Sequence, residues 1–141
     1  MDNLDRKLLH TLSKNVRISI SELARILGIS RSTTQSRLNR LETDGTISHY
    51  AVEYGEKYNR NLIKAQVLIQ VDQKLTARAL IAIDKIREVQ ALYAVSGDYD
   101  LIAVIVAETT EKLSGTLDEL ANLPGIERTN SLVILETKFI R

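Results

Sequence analysis

SISELARILGISRSTTQSRLNRLETDG, residues 19–45, is the stretch on which the fold turns. Ser19 followed by Glu22 has the form of a capping box, in which the serine hydroxyl accepts from the amide three residues on and the glutamate reaches back. The helix it opens carries Leu23, Ala24 and Leu27 on one face. Gly28 supplies a backbone that can leave the helix with positive φ, and Ile29 drops back into the core. Ser30 caps the next helix, whose inner face is Thr34, Leu38 and Leu41, and Gly45 ends it. Two helices separated by a four-residue break containing glycine form a helix-turn-helix pattern.

The outward side of the second helix presents Ser32, Gln35, Ser36 and Asn39, with Thr33, Arg37 and Arg40 at its edges. In a helix-turn-helix the N-terminal turns of this helix enter the major groove of DNA. Hydroxyl and amide side chains both donate and accept at base edges, and an amide suits adenine in particular. Arg31, Arg37 and Arg40 are expected at phosphates, where a guanidinium holds register without reading sequence. Ser30 and the first amides of the helix can add a phosphate contact. A capped three-helix bundle with a solvated polar face is the plainer alternative. Against it stands the composition of residues 31–41: three arginines and no carboxylate, where an ordinary solvated helix mixes signs.

Towards the N-terminus, Leu4, Leu8, Leu9 and Leu12 recur at helical spacing and predict a first helix over 3–14. Residues 1–50 thus form a three-helix, winged-helix-like DNA-binding domain. They hold eight basic and five acidic residues, net +3, against net −2 for the remainder. A basic third attached to a slightly acidic remainder suits a module that meets a polyanion. From Thr46 to Tyr58 the residues turn β-branched and aromatic (Ile47, Tyr50, Val52, Tyr54, Tyr58), which predicts a strand and connector. The hinge is placed at 51–61.

Residues 62–141 read as two β-α-β units. Ile63, Ala65, Val67, Ile69 and Val71 alternate with Lys64, Gln66, Leu68 and Gln70, a half-buried strand. A helix over 76–87 faces inward with Leu80, Ile83 and Ile86. Val89–Val95 alternates again and ends at a Ser96-Gly97-Asp98 hairpin turn. Leu101–Ala107 is apolar on both faces and predicts a central strand covered on both sides. Thr110–Asn122 is a helix with Leu113, Leu117 and Leu120 inward, stopped by Pro124-Gly125, and Val133–Phe139 is expected as the last strand. The class is α+β, and the order β-α-β-β-α-β is the ferredoxin-like arrangement. There both helices cover one sheet face, so the second apolar row of Leu101–Ala107 calls for the sheet of another copy, a homodimer.

Composition narrows the alternatives. Among 141 residues there is no cysteine, which removes disulfides and thiolate metal sites together. The two histidines, His10 and His49, lie far apart with no ligand spacing, so no metal or cofactor is expected; one is read as a surface residue and the other as a strand residue. No apolar run has membrane-spanning length and the N-terminus is no signal peptide, so the expected location is cytoplasmic. The five tyrosines are read as core and interface residues.

Specific stretches carry a resemblance across the chain. They are Leu4-Asp5-Arg6-Lys7-Leu8-Leu9, Ser21-Glu22-Leu23-Ala24 through Gly28-Ile29-Ser30, and Arg37-Leu38-Asn39-Arg40-Leu41-Glu42-Thr43-Asp44-Gly45-Thr46-Ile47. Val95-Ser96-Gly97-Asp98-Tyr99-Asp100 and Leu123-Pro124-Gly125-Ile126 complete the set. With these the chain resembles the Lrp/AsnC family of bacterial and archaeal transcription regulators, the feast/famine regulatory proteins. The resemblance implies homodimers that assemble further, commonly to octamers, palindromic DNA sites, and in many members an amino-acid effector. It implies an effector site between dimers at Ser96, Gly97, Asp98, Tyr99 and Asp100, with Asn130, Ser131, Leu132 and Val133 at the start of the last strand. Turn amides can bind a carboxylate there, while Asp98 or Asp100 pairs with an ammonium; Asp100 can instead cap the hairpin or join an intersubunit ion pair, and a plain tight hairpin is the alternative for Gly97-Asp98. Some members have prolines where this chain has Arg31 and Thr33, so DNA preference does not carry over.

An enzyme is the contrasting function. Sirohaem decarboxylases resemble the same two-domain architecture, but they need a histidine and basic residues around substrate carboxylates, and residues 62–141 hold no histidine. Hydrolase chemistry lacks a base to activate a serine. A ligand-independent architectural DNA-binding protein is the other alternative.

Overall fold

Asp2 opens the first helix. Its carboxylate accepts from the Asp5 amide while the Asp5 carboxylate accepts from the Asp2 amide, a reciprocal box at the start of α1 (Asn3–Lys14). The computed structural model describes residues 1–140 and shows α1 followed by α2 (Ile20–Leu27) and α3 (Arg31–Thr43). Ser19 accepts from the Glu22 amide as expected, but the Glu22 carboxylate lies 3.5 Å from the Arg25 guanidinium and completes no box. Gly28 takes φ 70°, a left-handed conformation that a residue with a Cβ adopts only at a cost, and so lets the Gly28 and Ile29 amides return to the Ala24 carbonyl. Ser30 caps α3 through the Thr33 amide.

Leu8, Leu23, Leu27 and Leu41 form the buried centre of these helices, with Leu4, Leu12, Ile29 and Leu38 packed around them. Thr34 is fully buried among apolar neighbours because its hydroxyl donates to the Ser30 carbonyl, 2.9 Å away, and leaves no unpaired polar atom. This first compact unit is Met1–Glu53; the second begins at Tyr54.

The strand expected over Thr46–Tyr58 does not form. Residues 46–55 adopt neither helix nor strand, and Glu56–Asn59 is a short helix, α4. Alternating β-branched and aromatic residues make a strand only beside a partner ladder, and among the described residues no strand pairs with the segment. Tyr50, Val52, Tyr54 and Tyr58 are consequently exposed. Tyr54 and Tyr58 stack with ring centroids 4.4 Å apart, and Tyr93 is exposed as well, so these tyrosines do not form core.

The second unit contains β1 (Ile63–Val71), α5 (Thr76–Asp84), β2 (Val89–Ala94), β3 (Leu101–Ala107), α6 (Thr110–Ala121) and β4 (Ile126–Ile134). The strands lie in the order β2-β3-β1-β4, every neighbouring pair antiparallel, which is the β-α-β-β-α-β arrangement. Ala65, Val67, Ile69, Ala103 and Ile105 point to one face and are buried against Ala79 and Ile83 of α5 and Leu113 and Leu120 of α6. On α5 the buried positions are Ala79 and Ile83, whereas Leu80, expected inside, is 39% exposed. The short alanine lets the helix lie close on the sheet, which turns Leu80 to the flank. The last strand starts seven residues before the expected Val133. Ile134 pairs with Lys64 at the start of β1, so the ladder ends there and the apolar residues Leu135, Phe139 and Ile140 lie outside it, exposed.

The other sheet face carries Leu68 on β1, Ile102, Val104 and Val106 on β3, Tyr93 on β2 and Leu132 on β4, read from the pairing Gln66↔Val104, Leu68↔Ile102, Tyr93↔Ile102 and Gln66↔Leu132. Among the described residues the core helices α5 and α6 pack on the opposite face, and Ile102, Val104 and Val106 are only half-buried.

Candidate nucleic-acid interface and effector segment

The N-terminal unit presents α3 with its polar side outward. Ser30, Arg31, Ser32, Thr33, Gln35, Ser36, Asn39 and Arg40 are all exposed; Arg37 is half-buried. The Gln35 side-chain nitrogen Nε2 donates to Asn39 Oδ1, 2.8 Å away and one turn on, so the two amides stand as one preformed pair. The Ser30 hydroxyl is shared between the cap, Thr33 Oγ1 at 2.8 Å and Ser32 Oγ at 3.1 Å. Arg31 and Ser36 have no side-chain partner among the described residues.

Arg37 and Arg40 differ from the expectation of free phosphate-binding side chains. One Arg37 terminal nitrogen donates to Asp2 Oδ2 at 2.7 Å and to Asp5 Oδ1 at 2.8 Å. An Arg40 terminal nitrogen donates to Asp5 Oδ2 at 2.7 Å, and more than half of the Arg40 side chain remains in solvent. Asp5 is fully buried. The Asp2 amide above all, and then the two guanidiniums, hold its carboxyl well below the ordinary aspartate range despite the cost of burial. The Asp5 amide and Arg37 likewise lower Asp2, and the two carboxylates raise Arg37. The Arg37 Nε is buried with no hydrogen-bond partner, which marks this guanidinium as held by its outer end. No acid lies within residues 31–41, yet α1 brings two carboxylates to this helix from over thirty residues away in sequence. The only local sign is the Asp2/Asp5 spacing, which by itself indicates a helix cap. Asp2, Ser32, Thr33, Ser36, Arg37 and Arg40 line one shallow depression.

In the second unit the β2–β3 hairpin closes with the Val95 amide on the Asp100 carbonyl at 2.9 Å, and Gly97 takes φ 107°. Asp98 is exposed and unpartnered among the described residues. Asp100 is committed to the fold: its amide donates to the Ile69 carbonyl and its carboxylate accepts from the Val71 amide, both at 2.9 Å. The Tyr99 hydroxyl accepts from Arg128 Nη2 at 2.7 Å, and the Arg128 guanidinium lies 4.9 Å from the Tyr99 ring centroid. No motif around Arg128 marks it in the sequence, because only strand pairing brings β4 to this turn. Asn130, Ser131, Leu132 and Val133 lie within β4 and are exposed. The pleat divides them: Asn130 and Leu132, opposite Leu68 and Gln66, stand with Arg128 on the uncovered face, and Ser131, opposite Val67, stands on the helix side. Within one chain β1 lies between β4 and the hairpin strand β3, and Arg128 is the residue of β4 that reaches the hairpin, through Tyr99.

His10 is exposed, and His49, in no strand, pairs with Ser48 at 3.0 Å. No helix is long and apolar enough to cross a membrane, and the described residues contain no group of metal-ligating side chains.

Comparison with known proteins follows the two units. The AsnC-type helix-turn-helix domain matches residues 1–42, and the Lrp/AsnC ligand binding domain matches residues 64–141. The HTH-type transcriptional regulator LysM of Saccharolobus solfataricus is 31% identical over 140 residues, 99% of this chain and 96% of its own. The feast or famine regulatory protein of M. tuberculosis, solved with L-methionine, superposes with a TM-score of 0.88 at 29% identity, covering 99% of this chain and 95% of its own. E. coli AsnC, at 24% identity, shares the fold with a TM-score of 0.89 over 100% of this chain and 96% of its own. Its relatives are transcriptional regulators rather than enzymes, and this chain, with a DNA-binding helix-turn-helix followed by a ligand-binding domain, belongs to the Lrp/AsnC family of transcription regulators.

Proposed function

We propose that this regulator reads DNA through Ser32, Gln35, Ser36 and Asn39, is anchored on phosphates by Ser30, Arg31, Thr33 and the free nitrogens of Arg40, and acts as a dimer on palindromic sites in the cytoplasm. The observation that carries this reading is the outward side of α3, where hydroxyls and a paired Gln35–Asn39 amide lie exposed beside the unpartnered Arg31. Such groups match base edges in the major groove, and each good base contact is worth about 1–3 kcal/mol of discrimination. The uncovered apolar row Leu68, Ile102, Val104 and Val106 supports pairing with the sheet of a second copy, and dimers assemble further, to octamers.

The effector is an amino acid bound between subunits at Ser96–Asp100, with Asn130, Ser131 and Leu132 from a facing segment. The M. tuberculosis relative was solved with L-methionine. Exposed turn amides for a carboxylate and the unpaired Asp98 for an ammonium support the same class here. The ligand contacts more than one dimer, so binding is coupled to assembly and thereby to the spacing of the DNA-binding units.

Selection of bound fragments from the source genome tests the reading. One operator sequence should be enriched, and Gln35→Ala should change preference at one or two base pairs while Arg31→Ala weakens all fragments alike. A protein that retains genomic and random fragments equally refutes sequence-specific regulation. A thermal-shift screen of the amino acids tests the effector, which fails if none raises the melting temperature or if the active one acts fully on Asp98→Ala.

A further inference from the structure

The depression beside α3 combines hydroxyls with guanidiniums. Ser32, Thr33 and Ser36 line it with Arg37 and Arg40, and the Ser36 hydroxyl is free of any partner among the described residues. Hydroxyl and guanidinium donors converging on one open concavity suit an oxyanion of phosphate type. A single anionic group stands among them, the Asp2 carboxylate, 2.7 Å from the Arg37 terminal nitrogen. Asp2 and Asp5 share that nitrogen but differ in setting: the Asp5 side chain is 1% exposed and Asp2 53%. Asp5 is the fixed member that holds α3 to α1. Asp2 is the member at the surface, in the place an incoming anion would take.

We infer that this depression is a seat for a DNA backbone phosphate and that the Asp2 carboxylate occupies it as an internal stand-in, lowering the affinity for DNA. The inference rests on the DNA-binding role of α3 proposed above. When the duplex docks, the phosphate and Asp2 compete for the same Arg37 nitrogen, and the carboxylate that remains beside the phosphate repels it. The Arg37 side chain does not swing out to escape this competition, because the buried Asp5 carboxylate holds the guanidinium in place and would itself be left unpaired. Asp2 therefore sets the strength of a contact that carries no sequence information, which tunes overall affinity and leaves operator preference alone.

Asp2→Asn isolates this effect. Asparagine retains an oxygen to accept from the Asp5 amide and is as good a helix cap as aspartate, so α1 keeps its start while the charge is lost. Asp44→Asn is the matched control: Asp44 is an acid of the same unit at the far end of α3, where it accepts from the Thr46 amide. Binding of the full-length protein to a mixed-sequence duplex is measured by fluorescence anisotropy over a range of salt. Asp2→Asn is expected to bind roughly threefold to tenfold more tightly at low salt, the effect of one removed charge near a phosphate, with a salt dependence steeper by about one phosphate contact. Asp44→Asn, at a position that lines no part of the depression, is expected to change affinity by less than about twofold once salt reaches about 0.1 M, where a Debye length of about 10 Å screens it. If the wild type binds the duplex and Asp2→Asn binds no more tightly, or if Asp44→Asn tightens binding as much, the seat does not exist and the DNA-binding role of α3 stands. If the wild type binds no duplex at all, that role falls and the seat with it.

Discussion

Replacing Asp100 by alanine separates two roles that proximity in sequence confuses. Asp98 and Asp100 flank Tyr99 in the hairpin, but only Asp100 is tied into the sheet. Its carboxylate is the acceptor for the Val71 amide at 2.9 Å, at the end of β1 where the pairing with β4 shifts register. Val71 is 6% exposed, so water does not replace a lost acceptor there. A buried amide left without its partner costs about 1–3 kcal/mol. Taking about 2 kcal/mol, and roughly 4–8 °C of melting temperature per kcal/mol for a unit of this size, Asp100→Ala should lower the transition of the second unit by roughly 8–16 °C. Asp100→Asn keeps an acceptor oxygen and should recover more than half of the loss. Asp98→Ala, which removes no bond, should stay within about 0.5 kcal/mol of wild type. Calorimetry of the full-length protein gives the transitions, and hydrogen exchange at the Val71 amide gives the local cause. The reasoning is refuted if Asp100→Ala melts with the wild type and the Val71 amide stays protected, or if Asp98→Ala is equally destabilised. A lost effector response in Asp100→Ala would then report on the sheet as much as on the ligand, whereas in Asp98→Ala it reports on the ligand.

Three further outcomes follow from the same geometry. Asp2 and Asp5 both have lowered pKa values, so the stability they contribute is complete above the ordinary aspartate value near 4 and is lost as pH falls below it; circular-dichroism melts should show the first unit weakening from about pH 4 downward, and a first unit that gains stability on acidification contradicts the ion-pair network. Val104→Lys places a charge in the middle of the uncovered sheet face and should turn dimers into monomers in sedimentation at micromolar concentration, while an unchanged dimer would locate the interface elsewhere. Gly125→Ala combines a left-handed backbone, φ 88°, with a Cβ that would lie 2.8 Å from the Leu75 Cβ, and should destabilise the second unit by about 1–3 kcal/mol in denaturant titration; a variant as stable as wild type would show that the turn relaxes freely.

Local chemistry alone was enough for most of the architecture. The cap at Ser19, the left-handed exit at Gly28, the cap at Ser30 and the period of Leu23, Leu27, Leu38 and Leu41 act over one or two helical turns, so the three helices are legible from residues that are neighbours in sequence. The alternation of β1 and the doubly apolar β3 likewise announce a sheet with one face bare. What depended on partners far along the chain was not legible. The apolar alternation after Thr46 makes no strand because none of the described strands pairs with it, and the last strand ends at Ile134 because β1 begins opposite it. Asp100 reads as a ligand group until the register of β1 gives it the Val71 amide, and Arg128 has no visible role until β4 lies within reach of Tyr99. The arginines of α3 read as free cations because no acid is near them in sequence; only the packing of α1 against α3 lays Asp2 and Asp5 on them. The division has one physical cause. Helix caps, turns and hydrophobic periodicity are short-range and are written in adjacent residues, whereas a strand's ladder and an ion pair's second charge depend on distance in space, which the chain acquires only when its elements pack.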